Sequence, residues 1–224
     1  MLGRGIRWPL FTVAMICMTG MGLLPQSAQA HAKFDETIAV LNIVYSGEVQ
    51  AHRRYMAFAE KAMQEDQPNI AHLFRALAAS EGVHARNFKT LLKELGTDIK
   101  TPVQTEIQVK TTRLNLKQAT QVEISEIDDK YPKLLQRLKS EGHEEAIEKL
   151  TYAWEAEKQH RELIKEILSG TGIFYGVLTR KFRESDVRYF VCQNCGSTVV
   201  ALPGETCPVC DVPASEYREI KKTG

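Results

Sequence analysis

The chain has 224 residues, 43% of them apolar by type, which is enough for one substantial core with a small appended module and too apolar for an unfolded chain. Its 29 basic and 28 acidic residues nearly cancel. That balance argues against partners recognised by overall charge, nucleic acid or an anionic membrane surface, and leaves only local electrostatics to argue from.

The first 30 residues differ from the rest. Arg4 and Arg7 give a basic start, the run from Leu10 to Leu24 is almost uncharged, and Ala28-Gln29-Ala30 puts small residues at a cleavage position. Residues 1–30 are therefore expected to be a signal peptide cut after Ala30, making the mature protein periplasmic or otherwise exported. The alternative is an uncleaved anchor over residues 8–24, but Gly20, Gly22 and Pro25 interrupt a run already short for a hydrocarbon core about 30 Å thick. No stable membrane insertion is expected once the signal is gone. Cys17 leaves with it, and the four remaining cysteines all lie near the C-terminus.

Residues 31–170 carry a helical period. In the first segment Ile38, Leu41, Tyr45, Glu48, His52, Tyr55, Ala59 and Ala62 recur in steps of three and four and share one face. Pro68 opens a second helix whose stripe is Ile70, Phe74, Leu77, Glu81, His84, Phe88, Leu91 and Leu95, with Gly96 as its stop. Residues 97–113 have no period and are long enough to cross a bundle from end to end. A third helix from about Asn115 carries Leu116, Ala119, Glu123 and Glu126, and Pro132 is expected to break it after Tyr131. Past a turn near Gly142, the fourth carries Ile147, Leu150, Trp154, Glu157, His160, Ile164 and Ile167. The reading is a mainly α protein, a four-helix bundle with a long crossover between its second and third helices. His52 is expected to pack or to bond at the boundary, and His31, His72 and His143 to be solvated.

Residues 171–188 read as a linker and 189–224 as a β module with strand-like runs at Tyr189-Phe190-Val191 and from Thr198 to Leu202. So small a unit needs a staple. Cys192-x-x-Cys195 and Cys207-x-x-Cys210 supply one, and the spacing alone leaves zinc or a single iron open.

The acids in the bundle are the informative feature. Glu48, Glu81, Glu123 and Glu157 sit where the stripes call for apolar residues, and bare buried carboxylates in one layer would repel one another. Glu81-x-x-His84 and Glu157-x-x-His160 place each imidazole one turn after a carboxylate on the same face. One such pair is weak evidence. Two of them, joined by inward carboxylates on the other two helices, make the ligand set of a bundle that holds two metal ions. The two hairpins mirror each other, at 33 residues from Glu48 to Glu81 and 34 from Glu123 to Glu157, but three residues after Glu48 stands Ala51 while three after Glu123 stands Glu126, a seventh candidate ligand.

Glu48, Ala51 and Tyr55, Glu81 with His84, Glu123 with Glu126, Tyr131, and Glu157 with His160 resemble, in order and spacing, the motifs of the rubrerythrins, ferritin-like proteins with a C-terminal rubredoxin-like domain. The resemblance implies two irons held by Glu48, Glu81, His84, Glu123, Glu126, Glu157 and His160. One of them would move between His84 and Glu126 with oxidation state, and Tyr55 and Tyr131 would orient ligands. It implies one further iron, rather than zinc, on Cys192, Cys195, Cys207 and Cys210, with Tyr189, Phe190 and Tyr217 wrapped around it. The implied activity is reduction of hydrogen peroxide to water in oxidative stress defence, with Glu126, His84, Tyr55 and Tyr131 as the catalytic group; the alternative is an iron-handling ferroxidase using oxygen. The implied partners are an electron donor protein and a second copy of the chain, in a homodimer or higher homo-oligomer where one subunit's module lies near the other's bundle. Export is the misfit, since it would separate such a protein from cytoplasmic reductases.

Overall fold

The structure is a computed structural model and describes residues 33–99, 101–169 and 187–222; the signal segment, the cleavage position and nearly all of the expected linker lie outside the described residues. Helix α1 spans Asp35–Gln64, α2 Pro68–Glu94, α3 Thr112–Ser125, α4 Tyr131–Glu141 and α5 Glu144–Ser169. A single π turn, Glu126–Lys130, joins α3 to α4, so the two form one interrupted rod and the bundle has four rods. Helix α1 runs along α2, and the α3–α4 rod runs along α5. The mainly α reading holds, with a bundle, a long crossover and a small C-terminal sheet.

Local signals set most of the ends. Pro68 occupies the first turn of α2, and Gly96 and Gly142 adopt left-handed φ values of 74° and 68° just past α2 and α4. The break in the third rod differs from expectation. Pro132 sits in the first turn of α4, where its missing N–H is harmless, and the irregularity lies before it: the Tyr131 amide bonds back to the Glu126 carbonyl, five residues away. Trp154 of α5 donates from Nε1 to the carbonyl of Ile127 at 3.0 Å, fixing the widened turn to its neighbour.

Two helix starts are capped by carboxylates from elsewhere in the chain. Glu141, the last residue of α4, accepts from the amides of Glu36 at 2.9 Å and Thr37 at 2.7 Å, and Glu65, just past α1, accepts from the amide of Thr112 at 2.9 Å. Each satisfies N–H groups left open at a helix start and places negative charge at the positive end of the helix dipole.

The core has two apolar halves. One gathers Val40, Leu41, Val44, Phe88, Leu92, Leu138 and Leu150, and the other Phe58, Phe74, Leu77, Leu116, Ala119 and Ile164. Between them runs one polar layer.

The C-terminal module is a three-stranded antiparallel sheet in the order β2-β1-β3, with β1 Tyr189–Cys192, β2 Thr198–Val199 and β3 Tyr217–Ile220. β2 is shorter than the expected run to Leu202, and Val200 and Leu202 are exposed. β3 was not expected, because Arg218 and Glu219 break any apolar alternation. Tyr189 faces away from the cysteines and joins the second apolar half of the bundle, while Phe190 and Tyr217 line the cysteine cluster as expected. His72 is also corrected. It is buried rather than solvated, edge-on to Tyr189, with Nε2 donating to the Ile220 carbonyl at 2.7 Å. No described helix is long and apolar enough to cross a membrane.

The caps give a stability test. Slight burial works against the Glu141 charge, but the amides of Glu36 and Thr37 outweigh it and hold the carboxyl below its ordinary range. A group with a depressed folded pKa stabilises above its unfolded pKa of about 4.3 and loses that contribution as pH falls through the folded value. Glu141→Gln should therefore cost about 1 kcal/mol at pH 7. The gap in thermal midpoint from the parent should close as the pH drops below about 4, and a gap unchanged with pH would discount the charge.

Candidate metal centre

The polar layer holds Glu48 of α1, Glu81 and His84 of α2, Glu123 of α3, and Glu157 and His160 of α5, each no more than 2% exposed. Their donor atoms form two overlapping groups, Glu48, Glu81, His84 and Glu157, and Glu81, Glu123, Glu157 and His160; within each, the atoms lie within 4.8 Å of one another. Glu81 and Glu157 belong to both, and would bridge two ions if one were held in each group. Glu48 with His84 closes one end, and Glu123 with His160 the other.

The electrostatics call for cations in that layer. Burial first, and neighbouring carboxylates second, raise Glu81, Glu123 and Glu157 well above the ordinary carboxylate range. Oε2 of Glu123 is buried with no hydrogen-bond partner, which a metal ion would supply. Burial also holds His160 down to about 4, so its ring is neutral, as a ligand must be. Carboxylate oxygens with imidazole nitrogens form a donor set that suits iron. The residues fit two metal ions, one in each group.

The imidazoles are oriented from behind. His84 turns Nδ1 to the carboxylates, 3.1 Å from Glu81 and 3.7 Å from Glu157, and His160 turns Nδ1 to Glu157 at 3.0 Å and Glu81 at 3.6 Å. Both outer nitrogens meet the C-terminal module. His84 Nε2–H donates to the Cys195 carbonyl at 3.1 Å. Thr198 gives its hydroxyl proton to the Gly196 carbonyl at 3.1 Å, leaving a lone pair for His160 Nε2–H at 3.4 Å. These bonds select the tautomer with a free Nδ1 lone pair on the metal side.

Both tyrosines expected to orient ligands are hydrogen-bonded to carboxylates of the layer. Tyr131 donates to Glu48 at 2.8 Å, with Glu157 at 3.3 Å from the same hydroxyl, and Tyr55 donates to Glu123. Burial and the adjacent acids raise both phenols well above 10, so both are donors. Glu126 stands apart. Its side chain is 20% exposed and pairs with Lys130 Nζ at 2.8 Å, and no ligand group includes it. Burial opposes the Lys130 charge, but Glu126 and Glu48 outweigh it. Arg54 lies against Tyr55, and Glu126, Glu81 and Glu123 likewise hold it charged against burial.

In the module, Cys192, Cys195, Cys207 and Cys210 are buried, with sulfur atoms within 4.8 Å of one another. Separations of 3.8 Å for Cys192–Cys210 and 3.6 Å for Cys195–Cys207 are far beyond a disulfide, and all four are free thiols. Each knuckle closes through a left-handed residue, Gly196 or Asp211, whose amide bonds back to the first cysteine. The Ser197 amide donates to Cys195 Sγ and the Tyr217 hydroxyl to Cys207 Sγ. Hydrogen bonds from Cys195, set against burial, lower Cys192 to about 5.

The structure thus brings together six of the seven acids and imidazoles read from the sequence, and all four cysteines. The module grips the bundle of the same chain, whereas the resemblance implied the bundle of a second subunit. It uses Ser80 donating to the Gly196 carbonyl at 2.7 Å, Asn87 donating to the Asn194 carbonyl at 2.7 Å, and the Thr198 amide donating to Gln159 Oε1 at 3.0 Å. Gly196 was legible only as the glycine following a Cys-x-x-Cys pair. Lys130 was hidden in a run of charged residues. His52, as expected, bonds at the boundary, to the Ala78 carbonyl at 2.7 Å.

Comparison with known proteins agrees with this geometry. The family model described as Rubrerythrin matches residues 39–168. Rubrerythrin-2 of Clostridium acetobutylicum is 31% identical over 81% of this chain and 95% of its own length. A putative rubrerythrin of Methanocaldococcus jannaschii is 32% identical over 83% and 93%, and nigerythrin of Nitratidesulfovibrio vulgaris 27% over 85% and 89%. The solved structure of fully reduced, all-ferrous nigerythrin superposes with a TM-score of 0.70 at 26% identity, covering 96% of this chain and all of that one. A Desulfovibrio desulfuricans bacterioferritin, at 21% identity and a TM-score of 0.64, shares the fold.

Two substitutions test the centre. Glu81→Ala removes a bridge common to both groups, so iron analysis should show both bundle metals lost while the cysteine site keeps its visible absorption; retention of either bundle metal would refute the bridging assignment. At Gly196 a Cβ would stand 2.3 Å from His84 Nε2 and 2.8 Å from Ser80 Oγ, and φ is 82°. Gly196→Ala should release the module, raising hydrogen exchange at the Thr198 amide by about tenfold or more, the equivalent of one lost bond of ~1.4 kcal/mol. Unchanged protection would mean that the close approach is not what docks it.

Proposed function

This chain belongs to the rubrerythrin family, and from that premise we propose that it is a peroxidase reducing hydrogen peroxide to water. Its carboxylate–histidine di-iron site and its four-cysteine site make it a non-haem iron oxidoreductase. The observation that carries the finer reading is the docked module: the backbone around one cysteine is hydrogen-bonded to the outer nitrogen of one ligand imidazole, and Thr198 stands at the other. A protein whose only electron source is the ferrous ion it oxidises has no need of a second redox centre wired to its site. A reductase refilled one electron at a time does.

The reaction takes two electrons and two protons to one peroxide and releases two waters. When bound, the iron pair supplies the two electrons and the Lewis acidity that polarises the oxygen–oxygen bond. The protein's own part is placement. Glu81 and Glu157 set the spacing of the pair, Tyr55 and Tyr131 hold Glu123 and Glu48 in fixed orientations, and the two apolar halves keep bulk water out. Protons come from the solvent side through Glu126, the partly exposed acid next to the layer. Electrons return along the Cys195 backbone to His84, a route of one hydrogen bond between the two sites.

We further propose an exported protein fed by a donor outside the cytoplasm, from the character of residues 1–30, and a homo-oligomer. The test of the oxidant is kinetic. Fully reduced protein mixed with stoichiometric peroxide should reoxidise at the di-iron site faster than in air-saturated buffer. Faster reaction with oxygen would instead support an iron-handling ferroxidase.

A further inference from the structure

We propose that Tyr217 sets the reduction potential of the cysteine-bound iron, by donating its hydroxyl proton to Cys207 Sγ and so favouring the reduced centre over the oxidised one. Taking up one electron adds one negative charge to an iron held by four thiolates, and that charge spreads onto the sulfurs. A donor aimed at a sulfur is therefore bonded more strongly in the reduced state. Hydrogen bonds to the sulfurs are among the factors that place the potential of such a centre.

The backbone fixes the ring. Tyr217 opens β3 opposite Cys192 of β1, and the Gln193 amide donates to the Glu216 carbonyl at 2.9 Å immediately before it. From that position the phenol reaches across the cluster. Its oxygen lies 3.1 Å from Cys207 Sγ on the second knuckle and 2.9 Å from Ser197 Oγ just past the first. Tyr217 is 9% exposed and Ser197 is fully buried, so little water competes for either hydroxyl.

The phenol proton has two neighbours, and their chemistry decides between them. A metal-bound cysteine is deprotonated and can only accept. A serine hydroxyl can donate or accept, because its hydrogen rotates to suit. Every group is satisfied when Ser197 donates to Tyr217 and Tyr217 to Cys207, a chain in which each bond polarises the next. Thiolate–metal bonds of about 2.3 Å at tetrahedral angles put sulfurs ~3.8 Å apart. Cys192–Cys210 and Cys195–Cys207 stand at 3.8 Å and 3.6 Å, so a bound ion leaves the phenol where it is. Ser197 is followed by Thr198, the residue at His160 Nε2, so consecutive side chains serve the two metal sites. A raised potential lets a donor of weaker reducing power fill the module.

The test uses full-length protein with iron in both sites and follows the visible absorption of the cysteine-bound iron through a potentiometric titration. That absorption itself reports iron in the site, and the measurement is independent of which oxidant the protein uses in turnover. Tyr217→Phe keeps the ring and removes the proton. It should weaken reduction about tenfold, a fall of ~59 mV in midpoint potential for one electron, and should raise the iron–sulfur stretching frequencies in resonance Raman spectra. Ser197→Ala leaves the phenol in place and should lower the potential by a smaller step. A potential unchanged or raised in Tyr217→Phe would overturn the proposal. Should that variant fail to hold iron, equal potentials in Ser197→Ala and the parent would overturn it instead.

Discussion

Four carboxylates buried in one layer of a helical bundle are the constraint on which everything else in this protein depends. Two like charges about 4 Å apart at an effective dielectric near 20 repel by about 4 kcal/mol, and several such pairs together rival the whole stability of a domain. Without cations the layer relieves this by taking up protons, the state toward which burial drives Glu81, Glu123 and Glu157. With cations the same carboxylates become the strongest cross-links in the bundle, one from each of its four rods. The two apolar halves that flank the layer supply the folding energy and exclude the water that would otherwise screen it.

The C-terminal module answers a second requirement, that each ligand imidazole be neutral and fixed in one tautomer. An outer N–H needs an acceptor, and the module provides the Cys195 carbonyl for His84 and Thr198 for His160. Thr198 can serve because the Gly196 carbonyl takes its hydroxyl proton. The bonds that orient the ligands therefore also join two metal sites, and this explains why a residue without a side chain closes the first cysteine knuckle. Gly196 must adopt a left-handed turn and admit His84 and Ser80 to its surface, and only glycine does both without strain.

Features that repeat along one element were legible in the sequence, and features made by two elements meeting were not. The stripes of apolar residues located the helices, and acids standing on those stripes located the layer, because a carboxylate at a core position contradicts the pattern around it. The cysteine pairs were legible because fixed spacing imposes fixed geometry. By contrast, His72 looked solvated because nothing in α2 bonds its outer nitrogen; its partner is the Ile220 carbonyl, 148 residues along the chain. Strand β3 was hidden because its two central residues are charged and exposed. Pro132 signalled an interruption correctly but misplaced it, since a proline in a first turn constrains the residues before it. Glu126 was legible as an extra acid, but its pairing with Lys130 was not, because Lys130 is reached through a π turn that no period reveals.

These pieces make the site asymmetric. Across one face, His84 and His160 present their outer nitrogens to a module held by Ser80, Asn87, Gln159 and a buried Tyr189. Across the other, one ion pair on a short irregular turn separates the layer from an open polar pocket. The first face is fixed by many hydrogen bonds and the second by few, so any motion that admits a small molecule is confined to the second. A di-iron layer built this way can exchange electrons through a rigid wall and atoms through a soft one.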